Sequence, residues 1–335
     1  MHSFYFYINF IIFIHFLALL VFAKREIAFI QCIWRHGDRA PKKLPYPDDP
    51  YDEKYWPRGW NQLTNLGMQQ MNELGQFFRQ RYVEEWPFLS SSYDPDELLK
   101  PTSFECPTYD GIKNSIKKHL ENDLKKKYKD LFEFVQIKVF NSTKPVSLHQ
   151  VASLNNLNRE LAHNFTQPAW VERRWPQYGN WSTLELVTDL RRLERINEFK
   201  RPEMAYLMGG YLLGDWINRA EKVINSKSPN EAEKAVLYSS HDGTLQALLS
   251  LIGHGFDQLV PYASSICMEI LKKNDTFNIE MFYRHSGLVQ HIEFPDCPLN
   301  QCTAELLLKF LRTRAIFERK RLYELCGSGD AYCKV

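Results

Sequence analysis

The chain has 335 residues, 44% of them hydrophobic, 14% aromatic and 24% charged, with 42 Lys and Arg against 40 Asp and Glu for a net charge of +2. That apolar content excludes a disordered chain, and the near-balance of charge excludes the overall positive field of a nucleic-acid-binding protein. The length accommodates a sizeable core.

Phe4 to Ala23 is almost unbroken apolar sequence, interrupted mainly by Asn9 and His15. Val21-Phe22-Ala23 offers a cleavage site and Lys24-Arg25-Glu26 opens a polar mature end, so residues 1–23 are expected to be a signal peptide. No later run reaches spanning length, and no membrane span is expected after cleavage.

Ile27-Ala28-Phe29-Ile30-Gln31-Cys32-Ile33-Trp34 reads as a strand and leads straight into Arg35-His36-Gly37-Asp38-Arg39-Ala40-Pro41. Thr64 is a plausible helix cap, followed by Met71, Leu74, Phe78 and Tyr82 at helical spacing. Ile112, Ile116, Leu120, Leu124, Tyr128 and Leu131 repeat the pattern. Their neighbours Lys117-Lys118 and Lys125-Lys126-Lys127 are interleaved with Glu121, Asp123 and Asp130, the mark of a solvated face rather than a nucleic-acid patch. Thr183 to Phe199 is a charged amphipathic helix flanked by Trp170, Trp175 and Trp181, rings expected to pack a lobe. Val236-Leu237-Tyr238-Ser239-Ser240 is a second strand, running into His241-Asp242-Gly243-Thr244 and a helix with Leu245, Leu248, Leu249 and Ile252 on one face. Phe277 to Tyr283 alternates as a late strand, and Gly327-Ser328-Gly329 is a tail with no phosphate-loop context.

Both polar strings follow a strand and precede a helix. In an open α/β sheet the carboxyl ends of the strands form the ligand crevice, so the two strings can meet over one substrate although 205 positions separate His36 from His241. Arginine forks match phosphoryl oxygens with paired charge-assisted hydrogen bonds. A histidine between two such cations is driven toward neutral imidazole, its nucleophilic form. The blander possibility is a polar turn at the first string, with His241 a core histidine and Asp242 a helix N-cap.

Seven cysteines fit an oxidising compartment. Cys297-Pro298-Leu299-Asn300-Gln301-Cys302 reads as a short local disulfide loop. No Cys-x-x-Cys pair or His-Glu-x-x-His string occurs, and neither metal nor cofactor is expected. Sequons at Asn141, Asn164, Asn180 and Asn274 are candidate glycosylation sites.

The two strings together resemble the histidine acid phosphatase family, the acid branch of the histidine phosphatase superfamily. Further similar stretches are Trp56-Pro57-Arg58-Gly59, Gln62 to Met68, Leu74-Gly75, Arg79 to Tyr82, His163-Asn164-Phe165-Thr166, Gly209 to Leu213 and Pro261-Tyr262-Ala263-Ser264. The resemblance implies an α/β fold: an open mixed sheet with helices on both faces, plus an inserted, mainly helical lobe. It divides residues 24–335 into a body, 24–98 with about 200–335, and a lobe at about 104–199. It implies an acid phosphatase that hydrolyses phosphomonoesters through a phosphohistidine. His36 would be the nucleophile, Arg35, Arg39 and His241 phosphate ligands, and Asp242 the proton donor, an acid expected to hold its own proton and so to set an acidic working pH. It supports the Cys297–Cys302 bridge and implies Cys106–Cys326, and it places a lost third bridge at Arg159 and Ser265. Cys32, Cys267 and Cys333 receive no partner, and Cys32 reads as a small buried apolar residue. The product is expected to be a secreted or lumenal glycoprotein acting on a small phosphomonoester, with a homodimer unsurprising for the family.

One departure stands out. The family's Arg-Ser-Thr-Asp string, whose arginine is a further phosphate ligand, is absent from this sequence. The text approaching it ends near Glu97, and Leu98 resumes well beyond it, so one sheet strand and its helix are expected to be missing. A catalytically weak or inactive glycoprotein of the same fold is therefore the alternative expectation.

Overall fold

A computed structural model of the chain describes residues 26–85, 106–226, 233–255, 257–274, 276–295, 297 and 302–327. The expected leader (residues 1–23), the junction between Glu97 and Leu98, Ser328-Gly329 and Cys333 lie outside the described residues.

The first strand, β1 (Glu26–Arg35), has Phe29, Ile30, Cys32 and Ile33 all fully buried. A continuous apolar run of this kind suits a strand covered on both faces. It pairs in parallel with β2 (Ala235–Ser240) on one side and antiparallel with β3 (Ser265–Lys273) on the other. β4 (Thr276–His285) and β5 (Leu288–His291) complete a mixed sheet of order β2-β1-β3-β4-β5.

On one face Phe29, Ile33, Tyr238, Ile266 and Met268 join the core built by the helices Pro202–Ile224, Asp242–Leu251 and Ala304–Arg312. Trp216 at its centre is fully buried, and truncating such a side chain typically costs about 3–5 kcal/mol. On the other face Ile30, Cys32, Cys267 and Phe282 meet Tyr82, Phe77 and Phe78. The last two lie on the helix Asn65–Arg79, whose N-cap Thr64 accepts from the Gly67 N–H.

The lobe has a core of its own, with Leu131, Val135, Leu148, Val151, Leu157, Trp175 and Val187. The helix Pro107–Lys127 opens it. The helix Thr183–Phe199 is held at its start by a capping box of Ser182 and Glu185. Trp175 is buried there, whereas Trp181 stays exposed.

Disulfides join Cys106 to Cys326, tying the first lobe helix to the last helix of the chain, and Cys297 to Cys302. A third joins Cys32 to Cys267, which the antiparallel register sets directly opposite each other. Cys32 is buried, as expected of a small apolar residue, but it is bonded.

Two features concern the expected gap and the surface. Among the described residues no strand pairs with the edge of β2 that faces away from β1, and Leu237 on β2 is 46% exposed. The four sequon asparagines are all exposed and left-handed, with φ of 44°, 60°, 59° and 55° for Asn141, Asn164, Asn180 and Asn274. Asparagine tolerates that conformation better than other side chains, so turn geometry alone accounts for the residue type. Among the described residues no helix is long and apolar enough to cross a membrane.

Candidate active site

The β1–β2 register pairs Arg35 with Ser240, so His36 and His241 leave the carboxyl ends of adjacent parallel strands side by side. Their ring centroids lie 5.4 Å apart at an interplanar angle of 75°. The His36 N–H donates to the Ser240 carbonyl at 3.2 Å, and the His36 carbonyl accepts from the Ala263 N–H at 3.3 Å. Ala263 reaches that position with a left-handed φ of 52°. The loop carrying Tyr262 is thereby clamped beside His36, with 5.7 Å between the two ring centroids.

His36 Nδ1 lies 2.7 Å from the Gly37 carbonyl. A proton on Nδ1 makes that hydrogen bond and leaves the lone pair on Nε2. Burial disfavours the imidazolium, opposed by the Gly37 bond and reinforced by Arg39, Arg35 and His241. The balance holds the His36 pKa down at about 4, and above that pH the ring is a neutral nucleophile.

Arg35 donates to the Val260 carbonyl and stacks 3.9 Å above the Tyr262 ring. Its Nε and the Nε of Arg39 are buried donors with no acceptor among the described residues. Buried donors in that condition strongly favour an anionic oxygen that can reach them.

Asp38 was not singled out from sequence, yet it organises the loop. It is 2% exposed and accepts hydrogen bonds from Thr64 Oγ1 at 2.7 Å and His163 Nε2 at 2.9 Å. Its N–H donates to Gln70 Oε1 at 2.7 Å. The loop therefore rests on the first turn of the helix Asn65–Arg79, and the contact is so close that only glycine fits. A Cβ on Gly37 would come 2.2 Å from the Gly67 carbonyl oxygen, and one on Gly67 would come 1.8 Å from that of Asp38. The first string does not hand over to a helix directly, since residues 36–64 intervene.

His241 is the N-cap of the helix Asp242–Leu251, and Asp242 is its first residue. The N-cap reading of Asp242 is thus displaced by one position. Burial opposes the Asp242 carboxylate, but Arg195, Arg35, Arg191 and a hydrogen bond from Arg195 outweigh it and hold its pKa at about 2. The positive end of the helix acts in the same direction.

Part of this set lines one cavity of about 1220 Å³, while His241 lies beside His36 but outside its lining. The body contributes Arg35, His36, Arg39, Asp242 and Tyr262, and the lobe contributes Asn155, Asn156, Arg159 and Arg191. Sequence reasoning did not find roles for Arg195, Arg159 or Tyr262. Arg195 was hidden in the charged face of an amphipathic helix, whereas Tyr262 and His163 lie in stretches that carried the resemblance.

The chain is similar to several known proteins. The family model described as histidine phosphatase superfamily (branch 2) matches residues 26–105 and 95–284. Prostatic acid phosphatase of Bos taurus is 24% identical over 339 residues, covering 82% of this chain and 83% of the relative. Lysosomal acid phosphatase of Bos taurus is 29% identical over 323 residues, covering 78% and 72%. Each alignment is several dozen positions longer than the part of this chain it uses, and the family match breaks near residues 95–105, where the sequence text jumps. In fold, the chain is similar to a Hafnia alvei phytase solved with myo-inositol hexakis sulphate. The TM-score is 0.58 at 13% identity, over 88% of this chain and 98% of that one.

Proposed function

This chain belongs to the histidine phosphatase superfamily, branch 2, and on that premise we propose that it is an acid phosphatase hydrolysing phosphomonoesters through a phosphohistidine on His36. The observation that carries this reading is the state of His36. Its Nδ1 lies 2.7 Å from the Gly37 carbonyl, an arrangement that turns Nε2 out as the attacking atom, burial and the neighbouring cations favour the neutral ring, and the adjacent Arg35 and Arg39 carry buried Nε donors with no acceptor among the described residues.

In the first step His36 Nε2 attacks phosphorus as the P–O bond to the alcohol breaks. Arg35 and Arg39 hold the equatorial oxygens, and His241 adds a further contact. The leaving alkoxide needs a proton, which Asp242 passes to it. With Asp242 held near pKa 2, the proton arrives with the substrate, because a phosphomonoester is largely a monoanion below its second pKa of about 6. The Asp242 carboxylate takes that proton and delivers it to the leaving oxygen. In the second step the carboxylate accepts a proton from water as the water oxygen bonds to phosphorus and the N–P bond breaks; that proton then passes to the departing phosphate, which restores the carboxylate and the neutral His36. No metal or cofactor takes part in this scheme.

The convergence of His36, Arg35, Arg39, His241 and Asp242 supports the enzyme over a non-catalytic glycoprotein. Three disulfides and four exposed sequons support a secreted or lysosomal and endomembrane lumenal location, with glycans on Asn141, Asn164, Asn180 and Asn274.

The test combines an aryl phosphate assay across pH with alkaline quench and peptide mass spectrometry. Phosphate is expected on His36, activity should collapse below about pH 4 as His36 protonates, and His36→Ala should lose more than about a thousandfold. Undiminished hydrolysis by His36→Ala would overturn the reading.

A further inference from the structure

Arg159 belongs to the lobe helix Leu157–Ala162, half-buried on the wall of the cavity that holds His36. Its Nε donates to the Tyr262 hydroxyl at 2.9 Å. Arg35 stacks on the face of the same Tyr262 ring at 3.9 Å, and His36 lies against it at 5.7 Å between centroids. One tyrosine thus carries an arginine on its face and another on its hydroxyl, both beside the nucleophile.

Three guanidiniums share this corner and repel one another. After burial, Arg159 is the largest influence acting against the Arg39 cation, and it also acts against Arg35. Like charges so placed are unfavourable unless an anion offsets them. Among the described residues Arg159 makes no ion pair with a carboxylate. Arg191, the other lobe arginine on this wall, is already paired with Glu194 at 2.7 Å.

We propose that Arg159 is a third arginine of the phosphoryl site, anchored through Nε by Tyr262 and presenting its terminal nitrogens to an oxygen of the bound phosphate. This rests on the phosphatase reading and adds to it a residue supplied by the lobe. The lobe then closes the anion site as well as shaping the leaving-group side.

The experiment measures inorganic phosphate binding by calorimetry, and kcat and KM with an aryl phosphate. It uses the full chain, Arg159→Met, Arg159→Lys, Tyr262→Phe and the Arg159→Met/Tyr262→Phe double variant. Arg159→Met should bind phosphate about 10- to 100-fold more weakly, the loss expected for one charge-assisted contact. Arg159→Lys should recover part of it, and Tyr262→Phe alone should lose less because the cation remains.

Phosphate affinity unchanged in Arg159→Met overturns the proposal. So does a loss equal to that of Tyr262→Phe and no larger in the double variant, since Arg159 would then act only by placing the tyrosine. Failure of the unmodified chain to bind phosphate at all overturns the phosphatase reading itself, and this proposal with it.

Discussion

Arg195 Nε lies 3.3 Å from Asp242 Oδ2, and its guanidinium also pairs with Glu198 through Nη1 at 2.9 Å. Glu198 is in turn held by the Tyr109 hydroxyl and by Lys113 at 3.0 Å. The Asp242 carboxylate is therefore braced by a chain of ion pairs and hydrogen bonds rooted in two lobe helices. Gly243 is part of the arrangement, because a Cβ there would come 2.5 Å from Arg195 Nη2.

Replacing Arg195 with Gln should raise the Asp242 pKa, because burial then faces less positive charge. Because the leaving-group proton arrives with the substrate, a carboxyl that keeps its own proton longer chiefly slows relay and water activation at the acid end. The acid limb of the pH–rate profile is expected to move up, with kcat reduced about tenfold by looser positioning. A pH profile that falls in height without moving would show that Arg195 acts on shape alone.

Two glycines of the helix Asn65–Arg79 offer an internal control. Gly67→Ala drives a Cβ into the Asp38 carbonyl at 1.8 Å, whereas nothing lies within 4 Å of a Cβ on Gly75. Gly67→Ala should destabilise the protein by about 3 kcal/mol or more and displace the loop carrying His36. Gly75→Ala should be neutral or stabilising by up to about 1 kcal/mol, since alanine favours the helix. Thermal melts of the two variants decide it, and equal behaviour would contradict the close packing.

Asp49, from the loop after β1, and Glu160, from the lobe helix Leu157–Ala162, form a second titrating feature. Glu160 Oε2 accepts from Gln167 Nε2 at 2.9 Å, and Asp49 Oδ1 accepts from the Tyr51 N–H at 3.0 Å. Their remaining oxygens, Asp49 Oδ2 and Glu160 Oε1, are buried with no donor among the described residues. One proton shared between the carboxyls satisfies both. Burial, with Asp49 close by, pushes Glu160 up to about 8.

A folded pKa above the unfolded value means that this stability is complete in acid. It is lost as pH rises from above the ordinary glutamate value through about 8. Glu160→Gln supplies the bridging donor permanently. The variant should match the parent near pH 5 and exceed it near pH 9 by about 1–3 kcal/mol, the cost of orphaned buried groups. Parallel stability curves across pH would rule out the shared proton.

Much of this protein was legible in one dimension. The strand at Ile27–Trp34, the Thr64 cap, the helix from Thr183 to Phe199 and the strand around Phe277–Tyr283 all follow from periodicity and capping. Arg35, His36, Arg39, His241 and Asp242 announced themselves because each string packs several chemical groups into a few adjacent residues. The bridge between Cys32 and Cys267 was not legible, since only the β1–β3 register sets those residues opposite each other.

The sequence by itself determined the elements and the chemical inventory, because propensity, capping and local charge act over a few residues. The tertiary structure alone decided which groups that inventory meets. Arg195 and Arg159 lie far along the chain from the strands they serve, on helix faces whose charges resemble any solvated surface until the lobe folds over the sheet. Protonation was decided there in part: the flanking Arg35 and Arg39 already point to a neutral His36 and burial adds to them, whereas Asp242 is kept charged by Arg195, Arg35 and Arg191, which no local window contains.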